Sequence, residues 1–233
     1  LANQTAIEGS SISLQGATFT DAGLADTHTA AVDWGDGTTE GAAVSSGTVQ
    51  AQHVYGDDGA YTVRVTVMDD DGGTSLRNFT ATVLNVAPEL AALSDQTAGE
   101  GALVSLQGAA FTDPGFLDTH SATVDWGDGT AQAADISSKT LLAQHAYGDN
   151  GTYSVTVTVA DDDGGTSSSS FTASISNVSP SLAALADQEA VEGASVNLQG
   201  AAIADPGFLD SHTATVDWGD GTAGPAAVSS GAV

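Results

Sequence analysis

In Tyr61-Thr62-Val63-Arg64-Val65-Thr66-Val67 apolar and polar residues alternate without a break. A period of two turns Tyr61, Val63, Val65 and Val67 to one face and Thr62, Arg64 and Thr66 to the other, which predicts a strand with one buried side. Shorter runs of the same kind follow Ile12 and Leu14, closed by Phe19; Ala30, Val32 and Trp34; Val49, Ala51, His53 and Tyr55; and Phe79, Ala81 and Val83. Between them stand Gly35-Asp36-Gly37, Gly56-Asp57-Asp58-Gly59 and Asp69-Asp70-Asp71-Gly72-Gly73, whose residue types predict turns. A Ser/Gly-rich stretch ahead of Val49 reads as a loop. No segment sustains a helical period.

The pattern repeats. Trp34, Trp126 and Trp218 stand 92 residues apart (126 − 34 and 218 − 126), and the same offset links His28, His120 and His212, Glu8, Glu100 and Glu192, His53 and His145, and Asn85 and Asn177. A period this long suits a small domain with its own core rather than a solenoid repeat. The chain divides into units 1–87 and 88–179 and a partial third, 180–233. Roughly seven short strands in about 90 residues predict an all-β fold: antiparallel sandwiches of immunoglobulin-like type. The links Asn85-Val86-Ala87-Pro88 and Asn177-Val178-Ser179-Pro180 are short, so the units are expected end to end as a semi-rigid rod.

Four motifs occur in order at fixed separations: "VDWGDGT", the run from His53 to Val67 with its copy from His145 to Val159, "DDDGGT", and "NVAP". Together they resemble the PKD (polycystic kidney disease) domain over both full units and the first half of the third. The resemblance implies a β-sandwich of extracellular regions, found in tandem arrays on cell surfaces and as accessory modules of secreted hydrolases. It does not imply catalysis.

Thirty acidic residues stand against three Lys and Arg, a net charge of −27. Such a charge opposes phosphate backbones and anionic lipid and favours divalent cations, so nucleic acid is excluded as a partner. The chain has no cysteine, which rules out disulfides and thiolate metal sites. No apolar run is long enough to span a bilayer, and Leu1 does not begin a signal peptide. The expected setting is extracellular or at the cell surface.

Asp33 and Asp36, with their copies, offer an acid and base pair on paper. Gly-Asp-Gly makes a tight turn, however, and Asp side chains cap its backbone amides, so these residues read as architecture. Trp34, Trp126 and Trp218 are expected as core anchors, with Tyr61 and Tyr153 beside them, because alternation puts each tryptophan on the face of the preceding valine. His53 and His145 read as structural histidines within strands, and no catalytic residue is assigned.

Calcium is the favoured metal. Asp21 and Asp26 bracket one loop and recur as Asp113 and Asp118 and as Asp205 and Asp210; Asp69, Asp70 and Asp71 recur as Asp161, Asp162 and Asp163. Two carboxylate-rich loops suit an ion that takes about 6 to 8 oxygen ligands. The candidate ligands are Asp21, Asp26, Asp69 and Asp71 in the first unit, Asp113, Asp118, Asp161 and Asp163 in the second, and Asp205 and Asp210 in the third. In calcium-binding members of the resembled family such loops lie near the link entering the domain. That resemblance carries the role to Asn85 with Asp113 and Asp161, and in register to Asn177. The loop "DPGFLD" offers Phe116 and Phe208 where the first unit has Leu24; this aromatic touches either a neighbour or its own sandwich.

The third unit lacks the later strands, so the chain is read either as a window of a longer array or as a subunit completed by strands from another chain. The expected partners are neighbouring copies of the same domain. Two function classes follow. One is a structural repeat forming the shaft of a fibre, stalk or adhesin; the other is a non-catalytic binding or spacer module that holds a secreted hydrolase on polysaccharide or protein.

Overall fold

The structure is a computed structural model that describes residues 1–23, 25–198 and 200–229; Leu24, compared above with Phe116 and Phe208, lies outside them. The first unit contains β1 (Gln4–Ile7), β2 (Ser11–Ser13), β3 (His28–Asp33), β4 (Thr39–Ser45), β5 (Thr48–Gln50), β6 (Gln52–Val54), β7 (Gly59–Asp69) and β8 (Thr74–Leu84). The alternating run read from the sequence is the middle of β7. It pairs with β8 from Gly59↔Val83 to Met68↔Thr74, and the main sheet has the order β1-β8-β7-β3-β4-β5. Strands β2 and β6 pair in a second layer. Inward residues of both layers, among them Ile12, Val32, Trp34, Val49, Val63, Phe79 and Val83, form one core.

Two features depart from the sequence reading. The stretch expected as a loop contains β4, with sequence TEGAAVS, which pairs with β3 through its first half and with β5 through its second and is nowhere fully buried. A strand built mainly of small residues has little to hide, so its alternation is faint. The second departure is β1, which pairs with β8 in parallel, Gln4↔Ala81 to Ile7↔Leu84. With first and last strands parallel, the chain leaves the unit at the end opposite to its entry. That is the geometry an end-to-end array requires.

The second unit repeats the plan, with Gln96–Gly99 parallel to Thr166–Ser176 and Gly151–Asp161 between Thr166–Ser176 and His120–Asp125. Its core holds Val124, Trp126, Leu141, Tyr147, Val155 and Phe171. In both units the tryptophan sits under a histidine. His53 stacks on Trp34 at 5.0 Å and His145 on Trp126 at 5.2 Å between ring centroids. Tyr55 and Tyr147 each donate a buried hydrogen bond of 2.9 Å to the carbonyl of that tryptophan. Tyr61 and Tyr153, partly buried, stack on Tyr55 and Tyr147.

Trp218 departs from its expected role as a core anchor. It is 47% exposed, where Trp34 and Trp126 are fully buried. The stretch that lays a histidine and a tyrosine over the tryptophan has no counterpart in residues 180–233. Leu182, Leu185 and Val196, which belong to the same unit, are exposed as well. Ser181–Leu182 pairs with Ile203–Ala204, and Ala214–Asp217 with Ala223–Ala226.

Candidate metal centre at the joint between units

The repeated tryptophan turn accounts for its own carboxylates. Asp33 Oδ1 accepts from the amide of Gly35, and Asp36 Oδ1 accepts from the amide and hydroxyl of Thr38. The other Asp36 oxygen meets His53 Nε2 at 2.7 Å, and Asp128 meets His145 at 2.6 Å. Although burial works against it, these bonds to Thr38 and His53 hold the Asp36 carboxyl below its ordinary range, and Asp128 follows the same logic with Thr130 and His145. A carboxylate so occupied closes a turn.

The acidic loops behave differently, because they converge at the ends of the units. In the second unit Asp113 Oδ1 caps the amide of Gly115 and Oδ2 meets His120 Nε2 at 2.8 Å. Asp161 Oδ1 takes the amides of Asp163 and Gly165, and its Oδ2 accepts from Asn85 Nδ2 of the link at 3.2 Å. Ligand atoms of Asp113, Asp118 and His120 lie within 4.8 Å of one another. Asn85, Asp113, Asp118 and Asp161 are thus brought to one end of the sandwich. In the first unit Asp21, Asp26 and Asp69 form one such group and Asp26, Asp70 and Asp71 another. Of the third-unit candidates, Asp205 pairs with His212 at 2.7 Å, whereas Asn177 is exposed.

The joint also gathers residues that the sequence reading did not include. The "DPGFLD" loop of the second unit lies against the first. The amide of Leu117 donates to the carbonyl of Gly56 at 3.0 Å, and the amide of Leu209 donates to Gly148 at 3.0 Å in the next joint. A Cβ placed on Gly56 would stand 2.4 Å from Phe116, and one on Gly9 would stand 2.5 Å from the carbonyl of Pro114. Only glycine admits this approach, and Gly9 also has a positive φ of 67°. The loop aromatic therefore meets a neighbour rather than its own sandwich. Across the contact, Glu8, Asp57 and Asp58 of the first unit face Asp118 and Asp163 of the second: Glu8, Asp57 and Asp118 form one group of close ligand atoms, and Asp57, Asp58 and Asp163 another. The one signal for Glu8 in the sequence is an acid recurring at Glu100 and Glu192 in a glycine turn that needs none.

Burial raises the pKa of Asp118, and Asp113, Asp57 and Asp161 push it further in the same direction. Loss of solvent followed by Asp58 and Asp57 pushes Asp163 up to about 6. Asp118 Oδ1 and Oδ2 and Asn85 Oδ1 are buried without a hydrogen-bond partner. Buried polar atoms are nearly always paired. The orphans here are all oxygens among carboxylates, the donor chemistry of a hard divalent cation. The residues fit calcium, with Asn85, Asp113, Asp118 and Asp161 as the set that would hold it.

Two sandwiches in tandem, joined by a short link and a repeated contact, define a multidomain β-sandwich module. The chain belongs to the PKD domain family: the family model for the PKD domain matches residues 1–83 and 85–175. PKD domains are non-catalytic modules, typically extracellular. Among solved structures, the chain is similar to human CDH23 EC21-23, at 18% identity over 88% of this chain and 83% of that one, with a TM-score of 0.37. It is also similar to the Clostridium thermocellum CbhA fibronectin(III)-like modules, at 14% identity over 76% of this chain and 91% of that one, TM-score 0.33. A third is the Bacteroides ovatus SGBP-B in complex with a mixed-linkage heptasaccharide, at 14% identity over 74% and 42%, TM-score 0.28. Likeness at this level carries no functional argument. No curated protein sequence matches the chain.

Proposed function

We propose that the tandem units form the shaft of an extracellular fibre, stalk or adhesin, and that calcium stiffens the joints. The observation that carries the reading is the recurrence of one joint. The same backbone bond, Leu117 to Gly56 and Leu209 to Gly148, is 3.0 Å long in both places. The same glycine accommodates the same aromatic in each. A spacer needs each bead to meet the next at a fixed angle, and an array of one contact used repeatedly supplies that. Calcium enters through the orphaned oxygens of Asn85 and Asp118, where a bound ion would replace carboxylate repulsion with shared coordination.

Small-angle scattering and thermal melting of the 233-residue chain, first with calcium and then with chelator, test both parts. At a free calcium concentration about a hundred times Kd, binding to the folded state alone adds about 2.7 kcal/mol, so the expected result is a higher melting temperature together with a stiffer, more extended particle. If neither curve moves, the calcium reading is wrong. A flexible dumbbell under both conditions sinks the shaft as well and favours a tethered module of a secreted hydrolase.

A further inference from the structure

Glu8 is fully buried at the end of β1, facing the joint. Its Oε1 accepts from the amide of Val86 at 2.6 Å, while Oε2 is buried with no hydrogen-bond partner. Burial raises the pKa of this carboxyl, and Asp118, Asp113 and Asp58 add to the shift. Leaving such a group unpaired costs more than an ordinary hydrogen bond returns. The arrangement recurs: Glu100 is 1% exposed, its Oε1 accepts from Val178 at 2.6 Å, and its Oε2 is unpartnered. At the second joint a Cβ placed on Gly207 would stand 2.8 Å from Asp210 Oδ2 and 2.9 Å from Glu100 Cδ, so these two carboxyls flank one glycine across the contact.

We propose that each joint holds a further calcium-type cation seated between the units, on Glu8, Asp57 and Asp118 in the first joint and on Glu100, Asp149 and Asp210 in the second. The ligand atoms of Glu8, Asp57 and Asp118 lie within 4.8 Å of one another, a spacing that metal–oxygen bonds of about 2.3–2.6 Å bridge. Asp118 has two unpartnered oxygens, one for this seat and one for the set on Asn85 and Asp161, so it links the two. The seat differs from that set in taking ligands from both units. An ion here cannot bind unless the units are docked, and docking is then part of the binding free energy. The inference rests on the calcium reading of the joints.

Calorimetric titration of calcium into the full chain, beside a chain carrying Glu8→Gln and Glu100→Gln, decides it. Glutamine keeps the oxygen that accepts from Val86 and Val178. The variant is expected to bind about one ion fewer per altered joint, while Asp161→Asn removes a different ion and leaves the cross-joint one. Terbium supplies a second readout, since the Tyr61 hydroxyl touches the Asp57 carbonyl at 3.0 Å and sensitises an ion seated there; this emission should vanish in the Glu8→Gln chain. If the glutamine chain melts as though unfolded in chelator, Asp57→Asn with Asp149→Asn makes the same test from partly exposed positions. Calcium binding unchanged in number and affinity overturns the cross-joint seat alone. No calcium bound by the unaltered chain overturns the calcium reading and this inference with it.

Discussion

Replacing Gly56 by alanine probes the joint without touching the fold of either unit. Gly56 is buried and lacks a positive φ, so its own backbone accepts a side chain. The new Cβ would stand 2.4 Å from Phe116 Cε2, 2.6 Å from Phe116 Cζ and 2.8 Å from Leu117 Cγ. Carbon atoms rest at about 3.5–4.0 Å, so the ring must retreat by about 1.1–1.6 Å. The Leu117 side chain must also move while its amide stays bound to the Gly56 carbonyl at 3.0 Å. Phe116 and Leu117 are largely exposed and can swing outward, which releases the contact and leaves both cores intact. The stability of each unit should therefore change by less than about 0.5 kcal/mol, while the distribution of inter-unit distances broadens. The chain has no cysteine, so Ser45→Cys and Ser137→Cys, at matching exposed positions, carry spin labels for a pulsed dipolar measurement without background. An unchanged distance distribution would refute the reasoning. So would a loss above about 1 kcal/mol in the first unit, since surface changes away from the fold cost less and the strain would then lie inside the sandwich.

Tyr147→Phe removes the donor to the Trp126 carbonyl and leaves a buried acceptor unpaired, at a cost of about 1–3 kcal/mol. At about 4–8 °C per kcal/mol for a domain of this size, calorimetry should show the second unit melting lower, and Tyr55→Phe should lower the first by a similar amount. Asp128 titrates below its ordinary 3.8 in the folded chain. Its stabilisation is thus complete above that value and lost as pH falls through the lower folded one. Asp128→Asn should accordingly flatten the acid limb of the second unit in urea unfolding series between pH 2 and pH 5.

Much of this molecule was legible from its residues because strands with one wet face write themselves in a period of two. The β7 run and the Val32 and Trp34 face are cases where burial on one side forces the alternation. The capped Gly-Asp-Gly turns were legible for a different reason, since a short-range bond between an Asp and an amide two residues away needs no knowledge of the fold. β4 escaped because a strand with alanine and glycine at its centre has nothing large to hide. Parallel β1 escaped because its partner is seventy-odd residues away in sequence, from Gln4 to Ala81. The candidate site split along the same line. Asp113, Asp118, Asp161 and Asn85 were found through recurrence and resemblance. Glu8, Asp57 and Asp58 come near these carboxylates only because another unit docks against them, and no local pattern encodes that. Trp218 shows the converse: its motif is intact, but a motif does not bury a ring without the strands that cover it.

The contact between units joins two different surfaces, the glycine end of one sandwich and the "DPGFLD" loop of the next. It is heterologous, so a unit cannot pair with a copy of itself face to face through it, and one unit's free end always matches the next unit's free loop. Repeating one rotation and translation of this kind traces a helix unless the rotation happens to close a ring. The handedness and rise of that helix would be written in the few residues around Gly56 and Phe116, and its length in the number of units.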